Sequence, residues 1–306
     1  MGRGRKRPGS RDVSGVLLLD KPLGMSSNAA LQQVIRLFKA RKGGHTGALD
    51  PLASGMLPIC LGEATKLSSW LLDADKHYAV TARLGMATAT GDTEGEVVQQ
   101  MDVPACDRRR LEAVLQQFRG DIMQVPPMYS ALKRDGRPLY ELAREGKVVA
   151  REPRPVTISR LVVTNIERES FSLEVSCSKG TYIRTLVEDI AAALGSCGHV
   201  TMLRRRHVDP YEGRDMVPLT ELESLAARGY EALDELLLPM DQALPHWPAV
   251  TLDTAQSARI VHGQALDWPG GTDNARCRIY SASGRFIGLG QFSEGKLLPR
   301  RLMMQN

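Results

Sequence analysis

The pattern of apolar and polar positions divides the chain into alternating strands and helices. Residues 16–19 form a continuous apolar run, which predicts a short buried strand. After Ser26 or Ser27, either of which can cap a helix, apolar residues recur at helical spacing through residues 30–38, and Gly43 is expected to end that helix. Further strands are predicted at 57–61, 78–84, 156–166, 171–177 and 200–208, and further helices at 63–72, 108–118, 182–194, 219–228 and 230–238. Thr181 is expected to cap the helix at 182–194. These elements predict a mixed α/β fold.

The pattern changes after a proline-rich stretch at residues 244–248, which is typical of a linker. Beyond it, short strands at 277–280 and 286–292 flank a Ser-Gly turn and predict a small β module in residues 249–306. Residues 14–248 then form the larger domain. Residues 1–13 are rich in Arg and Lys and predict a basic tail, either touching phosphates or simply solvated.

Composition narrows the class of partner. The 306 residues are 42% hydrophobic and 25% charged, as in ordinary globular proteins. A net charge of +5 and a pI near 9.0 favour an anionic partner without demanding one. No apolar run approaches the roughly 20 residues that span a bilayer, and no hydrophobic signal core follows the basic start. We therefore expect a cytoplasmic protein without a membrane partner.

The reactive side chains give no sign of a cofactor or metal. The cysteines are five in number and include no C-x-x-C pair, so they predict neither a disulfide framework nor a zinc site. The six histidines also lack the spacing of metal ligands near one another in sequence. Phosphate-binding and dinucleotide-binding glycine motifs are absent from the sequence. We expect chemistry that needs no cofactor and no metal.

Residues 44–58 show neither strand alternation nor a helical stripe, and they contain three glycines and two prolines. This composition predicts a stiff loop, which carries one acid, Asp50, and one imidazole, His45. Asp50 precedes a proline, which is ordinary turn chemistry. A rigid loop with a single acid could equally aim a carboxylate into a dry site. The residues alone leave both interpretations open.

Two other features suggest function. Arg184 falls in the first turn of a predicted helix, where a cation opposes the helix dipole, so a buried or partnered carboxylate would account for it. Residues 128–140 interleave aromatic and basic side chains and continue to residue 147 as a short charged helix. Such interleaving favours contact with RNA, the alternative being a charged surface excursion.

The loop at residues 44–58 closely resembles the signature of pseudouridine synthases, specifically the bacterial TruB family. Three further motifs of that family, and an Arg-Arg pair after a leucine, occur along the chain in the order in which the family has them. They are GVLLLDKP at 15–22, DKHY at 75–78, SKGTYIRT at 178–185 and LRR at 203–205. With the separate C-terminal module, the resemblance covers nearly the whole chain.

The resemblance implies a catalytic domain built on an antiparallel-rich mixed sheet, an RNA-gripping insertion at about 124–152, and a PUA-like β-barrel that binds RNA. It implies isomerisation of uridine to pseudouridine at position 55 in the T-arm loop of tRNA. This reaction breaks the N1–C1′ bond, turns the base and joins C5 to C1′. The uridine must leave its stack to be reached. Neither an obligate protein partner nor an oligomer is implied.

The resemblance also assigns roles to residues. Asp50 is the catalytic nucleophile, and Arg184 pairs with it and keeps it ionised. Tyr78 supplies the stacking face and can also relay the C5 proton, and Leu203 lies against the uracil. His45 contacts the rearranged RNA.

Other interpretations stay open for several of these residues. Lys21 is assigned a supporting role in the site. His45 could brace the loop, and Tyr78 could be a plain core tyrosine. Two other functions also fit: a non-catalytic RNA-binding or tRNA-folding chaperone, and a guide-RNA-dependent relative. The insertion at 124–152 argues against the second, because it resembles that of stand-alone enzymes.

Overall fold

The computed structural model describes residues 9–303, which form strands, α-helices and short 3-10 helices. The strands are β1 (Gly15–Lys21), β2 (Gly43–His45), β3 (Ala53–Leu61), β4 (Lys76–Leu84), β5 (Met86–Thr88), β6 (Val97–Gln100), β7 (Gly120–Gln124), β8 (Lys133–Arg134), β9 (Arg137–Pro138), β10 (Arg154–Ile166), β11 (Ser170–Cys177), β12 (Gly198–Val208), β13 (Val217–Pro218), β14 (Ala249–Leu252), β15 (Leu266–Asp267), β16 (Arg276–Ser281), β17 (Phe286–Ser293) and β18 (Lys296–Leu302). The α-helices are α1 (Ser27–Leu37), α2 (Ser68–Asp73), α3 (Arg108–Leu115), α4 (Leu139–Arg144), α5 (Ile183–Ala193), α6 (Leu219–Ala226), α7 (Tyr230–Asp234) and α8 (Thr254–Val261). The 3-10 helices are Gly62–Leu67, Gln116–Phe118 and Met240–Ala243.

The large domain is organised around one extended sheet. Its strand order is β13-β1-β3-β12-β4-β11-β10-β7, with β2 paired to β3. The pairs β1–β13 and β3–β12 are parallel, whereas β1–β3, β2–β3, β4–β12, β4–β11, β10–β11 and β7–β10 are antiparallel. The prediction of a mixed, antiparallel-rich sheet is confirmed.

Strand β3 changes neighbours along one of its edges. Its residues 53–55 pair with β12, and its residues 59–61 pair with β2 on the same edge. The prediction of a loop at residues 44–58 was therefore wrong outside residues 46–52, which connect the two strands, and the strand predicted at 57–61 begins earlier, at Ala53. Nearly every residue of β3 is buried, so its sequence shows no alternation of apolar and polar positions.

Two predicted helix boundaries were also wrong. Helix α1 ends before Lys39, which adopts a left-handed φ of 46°, and Gly43 belongs to β2 instead of ending the helix. Thr181 does not cap α5, because its hydroxyl donates to the carbonyl of Ser178 at 2.9 Å and Tyr182 occupies the N-cap. Side-chain hydrogen bonding inside a turn competed with capping in this case.

Helix α5 packs against the large sheet and sets the position of its own first turn. Its inward face buries Leu186, Val187 and Ile190, each fully inaccessible to solvent. Burying a side chain of this size contributes roughly 1.5–3 kcal/mol. The packing fixes the helix N-terminus beside the loop at 46–52, where the candidate site lies.

The C-terminal module is a five-stranded sheet of order β14-β16-β17-β18-β15 with helix α8, and it resembles a PUA-like domain. The pattern of strands and turns did not predict α8. Its capping box, in which Asp253 and Gln256 exchange side-chain and backbone hydrogen bonds, is a local helix signal. Leu289 and Met303 of this part are buried in an apolar cluster with Leu18 and Met56 of the large domain. The two parts therefore share a core.

The end of the predicted basic tail packs against the large domain. Arg11 forms an ion pair with Asp234, and the side chain of Val13 is buried. Residues 1–8 of that predicted tail lie outside the described residues. Within residues 9–303, no helix combines the length and the apolar composition needed to cross a membrane.

Candidate active site

A cavity of about 280 Å³ opens between the loop at 46–52, the first turn of α5, and strands β4 and β12. Asp50, Tyr78, Arg184 and Leu203 all line it, although they are far apart in sequence. The sheet explains this meeting, because β12 lies between β3, which follows the loop, and β4, which carries Tyr78. We call this cavity the cleft.

Asp50 and Arg184 form an ion pair in the cleft. Arg184 Nη2 lies 2.9 Å from Asp50 Oδ2, and the side chains are 6% and 42% exposed, respectively. Burial among protein atoms raises the pKa of Asp50, while the Arg184 guanidinium opposes that rise. The exposed part of Asp50 therefore faces a confined cleft and not bulk water. The site holds a carboxylate that is accessible to a ligand and already oriented by a cation.

Arg184 is fixed by groups from three segments. Besides Asp50, its Nη1 lies 3.5 Å from a carboxylate oxygen of Asp92, a side chain that is 2% exposed. It also donates to the carbonyls of Thr90 at 2.6 Å and Tyr129 at 2.8 Å. Asp92 is itself held by the backbone amide of Glu94 at 3.0 Å. Two carboxylates thus compensate the cation in the first helical turn. The sequence did not indicate Asp92, because an Asp that follows a Gly is typical of a turn.

Tyr78 lies on β4 directly opposite Arg205 of β12. The Arg205 side chain is 1% exposed, and it donates from Nε to Met56 O at 2.6 Å and from Nη2 to Gly47 O at 3.1 Å. Its guanidinium also interacts with the Tyr78 hydroxyl, while burial raises the pKa of that phenol. Arg205 therefore ties the loop, β3 and Tyr78 together at the wall of the cleft.

Other walls of the cleft are apolar, aromatic and cationic. Leu203 is 6% exposed and lines the cleft beside Tyr182, a second aromatic that sequence reasoning missed. Gln124 holds the backbone of Tyr182 with hydrogen bonds of 3.0 and 3.3 Å. Lys76 also lines the cleft, and burial lowers its pKa to about 8. This combination suits a planar ligand that carries negative charge.

His45 and Lys21 lie near the cleft without lining it. His45 ends β2, and its buried Nδ1 has no hydrogen-bond partner in residues 9–303. Burial lowers the pKa of His45, as does the nearby Arg205. Lys21 is fully buried and donates to the carbonyls of Pro22 at 2.8 Å and Met25 at 2.6 Å. Burial lowers the pKa of Lys21 to about 8, against the attraction of Asp50.

Comparison with known proteins decides the family. Over 295 residues the chain is 54% identical to tRNA pseudouridine synthase B of Stutzerimonas stutzeri (strain A1501), with 96% of each chain covered. It is 53% identical to tRNA pseudouridine synthase B of Pseudomonas putida (strain GB-1), again over 96% of each. The chain belongs to the TruB family of pseudouridine synthases. It is therefore an isomerase.

The TruB family descriptions divide the chain into three segments. Residues 35–183 match the TruB family pseudouridylate synthase N-terminal domain. Residues 184–245 match the tRNA pseudouridylate synthase B C-terminal domain, and residues 248–303 match the C-terminal part of pseudouridine synthase II TruB. The cleft combines the first two segments, since Asp50 and Tyr78 come from one and Arg184 and Leu203 from the other.

Solved structures share the TruB fold. A chain in the crystal structure of a Cbf5–Nop10–Gar1 complex is 26% identical, with a TM-score of 0.73 over 95% of this chain and 85% of that one. A chain in the structure of an H/ACA RNP bound to a substrate RNA containing 2′-deoxyuridine has a TM-score of 0.73 at 23% identity. That match covers 98% of this chain and 93% of the other, and it concerns the fold alone.

Proposed function

We propose that this enzyme converts uridine to pseudouridine at position 55 in the T-arm loop of tRNA, after the uridine is extruded into the cleft. The observation that carries the proposal is the 2.9 Å ion pair between Asp50 and the nearly buried Arg184. It lies in a cleft that Tyr78 and Leu203 also line. The names of the relatives that are 53–54% identical support tRNA as the substrate.

The isomerisation breaks the N1–C1′ bond, turns the uracil and joins C5 to C1′, without net oxidation or reduction. A carboxylate at the sugar or the base can act as nucleophile in this exchange, and a site closed to water protects the intermediate. Asp50 supplies that carboxylate, acting at either C1′ or the uracil ring. Arg184 keeps it ionised and oriented, since burial alone raises its pKa.

The other residues hold the extruded uridine. The ring of Tyr78 provides a stacking face, which is the usual way proteins hold an unstacked base, and its hydroxyl can relay the C5 proton. Leu203 forms the apolar wall against the uracil. His45, beside the cleft on β2, contacts the RNA from which the base is withdrawn. Lys21 supports the site from beneath through its hydrogen bonds to residues 22 and 25.

Segments outside the cleft grip the rest of the tRNA. The insertion at about 124–152 contains the hairpin β8–β9 and helix α4, and its Tyr129 carbonyl accepts a hydrogen bond from Arg184. This contact couples the insertion to the site. Residues 249–306 supply a second RNA-binding surface, with residues 14–248 forming the catalytic domain. The enzyme acts as a monomer without a protein partner.

The proposal is tested by incubating the purified protein with unmodified tRNA and mapping pseudouridine along it. Asp50→Asn keeps the size and most of the hydrogen bonding but removes the charge. We expect no detectable pseudouridine from this variant, with tRNA binding within about tenfold of wild type, or ~1.4 kcal/mol. A tRNA with cytidine at position 55 should remain unmodified with wild-type enzyme. Substantial turnover by Asp50→Asn would overturn the catalytic role of Asp50, and modification at another position would overturn the choice of site.

A further inference from the structure

A cluster of potential metal ligands lies at the end of β4 and β12. His207 on β12 pairs directly with His77 on β4, and their rings stack with centroids 3.8 Å apart and planes 22° from parallel. Asp209 follows β12, with a carboxylate oxygen 3.4 Å from His77 Nε2. One potential ligand atom of each of the three residues lies within 4.8 Å of the other two.

The two imidazoles leave buried nitrogens unused. Nε2 of His77 and Nε2 of His207 are both buried, and neither has a hydrogen-bond partner within residues 9–303. Buried polar atoms are nearly always hydrogen-bonded, so these two nitrogens, of which His77 Nε2 has only the Asp209 carboxylate at 3.4 Å, require an explanation. The other nitrogen of His77, Nδ1, lies 2.7 Å from Ser176 Oγ. A contact of this kind fixes the ring and leaves Nε2 free to act as a ligand, as in many metal sites.

We propose that His77, His207 and Asp209 bind a divalent transition metal ion, with Zn²⁺ as the preferred metal. Two imidazoles and one carboxylate form a donor set that suits zinc, whereas Mg²⁺ prefers oxygen ligands and water. Tetrahedral zinc bonds of roughly 2.0–2.1 Å place ligand atoms about 3.3 Å apart, and an imidazole nitrogen binds a metal in the plane of its ring, so one of the two rings must turn out of the stack when the metal binds. Three protein ligands leave a fourth position for water.

The fourth position opens toward a cavity of about 410 Å³, which is lined by His77, His207 and Glu212, among others. Glu212 adds a negative charge near the metal. Two arginines also line this cavity, and one of them, Arg160, lies 3.3 Å from the carboxylate of Glu174. The acids therefore offset part of the positive charge that a metal would meet.

The metal site is separate from the cleft. Successive side chains on a strand point to opposite faces, so His77 and Tyr78 leave β4 on different sides, although Tyr78 contributes to the walls of both cavities. The metal would fasten β4 to β12 behind the wall of the cleft. Sequence spacing could not reveal this group, because strand pairing brings together residues 77 and 207, which are remote in the chain.

The test uses the full-length protein, freed of metal with a chelator and then titrated with ZnCl₂, CoCl₂ or MgCl₂. We expect one Zn²⁺ per chain by calorimetry and one Co²⁺ with the visible absorption of a tetrahedral complex. Zinc at about 100 times its Kd should raise the melting temperature by about 3 °C or more. We expect MgCl₂ to give no such effect at the same concentration. Lack of zinc binding by the wild-type protein up to about 1 mM, far weaker than metal sites of this type, would overturn the proposal.

Variants locate the metal. His207→Phe keeps a flat ring stacked on His77 but removes both nitrogens, and we expect it to weaken zinc and cobalt binding at least about tenfold. Asp209→Asn changes a side chain that is 48% exposed, so it should fold normally and also weaken binding. His262→Gln, at the end of α8, is the matched control and should bind zinc like wild type. Wild-type affinity in both His207→Phe and Asp209→Asn would place the metal elsewhere and overturn the assignment.

Discussion

At the scale of single residues, Arg184 is the hub of the candidate site. It is 6% exposed and contacts Asp50 at 2.9 Å and Asp92 at 3.5 Å. Removing one partner from a buried ion pair typically costs about 3–5 kcal/mol, because the other charge remains buried without compensation. Arg184 therefore contributes both to the ionisation of Asp50 and to the local fold around Asp92.

Arg184→Ala should impair catalysis most at acidic pH. Burial already raises the pKa of Asp50, and removing the cation that opposes this rise raises it further. Because the reaction needs the ionised carboxylate, its rate falls as pH drops through that pKa. We expect a loss of about 100-fold near pH 6, or ~2.7 kcal/mol, with partial recovery at higher pH. The measurement is the single-turnover rate against pH.

Arg184→Lys should rescue only part of the rate, since an ammonium cannot reproduce two contacts in one plane. Arg204→Ala is a suitable control, because Arg204 pairs with Asp20 at 2.7 Å and does not line the cleft. Thermal melts report folding in each variant. An Arg184→Ala protein with the wild-type rate and pH profile would show that the ion pair plays no part in catalysis.

Tyr78 can be tested by separating its ring from its hydroxyl. Tyr78→Leu removes the stacking face, which is worth about 1–3 kcal/mol per base, so we expect the single-turnover rate to fall by roughly 100-fold. Tyr78→Phe keeps the ring but loses the hydroxyl, with its contact to Arg205 and its proposed proton relay, so a rate within about tenfold of wild type would show that stacking dominates. If both variants react at the wild-type rate, Tyr78 is a core tyrosine without a role in the reaction.

The sequence identified the residues that carry recognisable motifs, and the structure brings Asp50, Tyr78, Arg184 and Leu203 into one cleft. It assigned no role to Asp92 or to Arg205, although Arg205 belongs to the LRR motif. Asp92 follows a glycine, as turn residues often do, and Arg205 lies within a run of three arginines that resembles a solvated basic patch. Their burial depends on strand pairing, which short-range patterns do not reveal.

At the scale of secondary structure, the approach of β3 to β12 depends on a glycine. Gly55 has a φ of 101°, and a Cβ atom added to it would lie 2.2 Å from the carbonyl oxygen of Arg205. The two strands pair at this point, one residue beyond the pairing of Ser54 with Arg204. The glycine lets the backbone of β3 pass close to the residue that holds the loop.

Gly55→Ala should therefore destabilise the protein by about 3 kcal/mol or more, since it combines backbone strain with a clash against another backbone. Gly44→Ala is the matched control, because a Cβ at Gly44 meets no atom within 4 Å, and its effect should stay within about 0.5 kcal/mol. Denaturant unfolding of both variants measures the difference. Equal stability of the two would contradict the close approach of β3 and β12.

Most strands and helices of the large domain could be predicted from periodicity, but their ends could not. Strand β3 was partly taken for loop because it is buried on both faces, and β2 has only three residues. The predicted helices at 219–228 and 230–238 are present but stop at Ala226 and Asp234. Helix α8 was not predicted, because the short strands and turns around it indicate a β module, although its capping box is a local helix signal.

At the scale of the whole molecule, the C-terminal module shares a buried apolar cluster with the large domain. Its Leu289 and Met303 are buried against the large domain, and Lys66 donates to the carbonyl of Leu302 at 2.6 Å. Deleting residues 249–306 would expose this apolar surface to water, so a loss of activity would mix unfolding with weaker RNA binding. Substitutions on the exposed face separate these effects.

Binding of tRNA should weaken steeply as salt concentration rises, because lysines and arginines displace counterions from the phosphates. The double variant Arg300→Glu and Arg301→Glu changes two exposed cations of β18, and we expect lower affinity and a shallower salt slope with the rate at saturating RNA maintained. Arg109→Glu, at an exposed position of helix α3, is the control for the change of charge. Unchanged affinity and slope in the double variant would exclude these two arginines from the RNA contact.

Two buried lysines, Lys76 in the wall of the cleft and Lys21 near it, can exchange protons when RNA binds. Lys21 and Lys76 donate to backbone carbonyls, which carry no net charge, and burial lowers the pKa of each to about 8. A negatively charged phosphate of bound RNA near these amines would favour their protonated forms and raise both pKa values. Above pH 8 the free enzyme has lost part of this positive charge, so the binding of RNA would be accompanied by uptake of protons from solution. The affinity for RNA would thus fall as pH rises above about 8, through loss of protons from these two lysines.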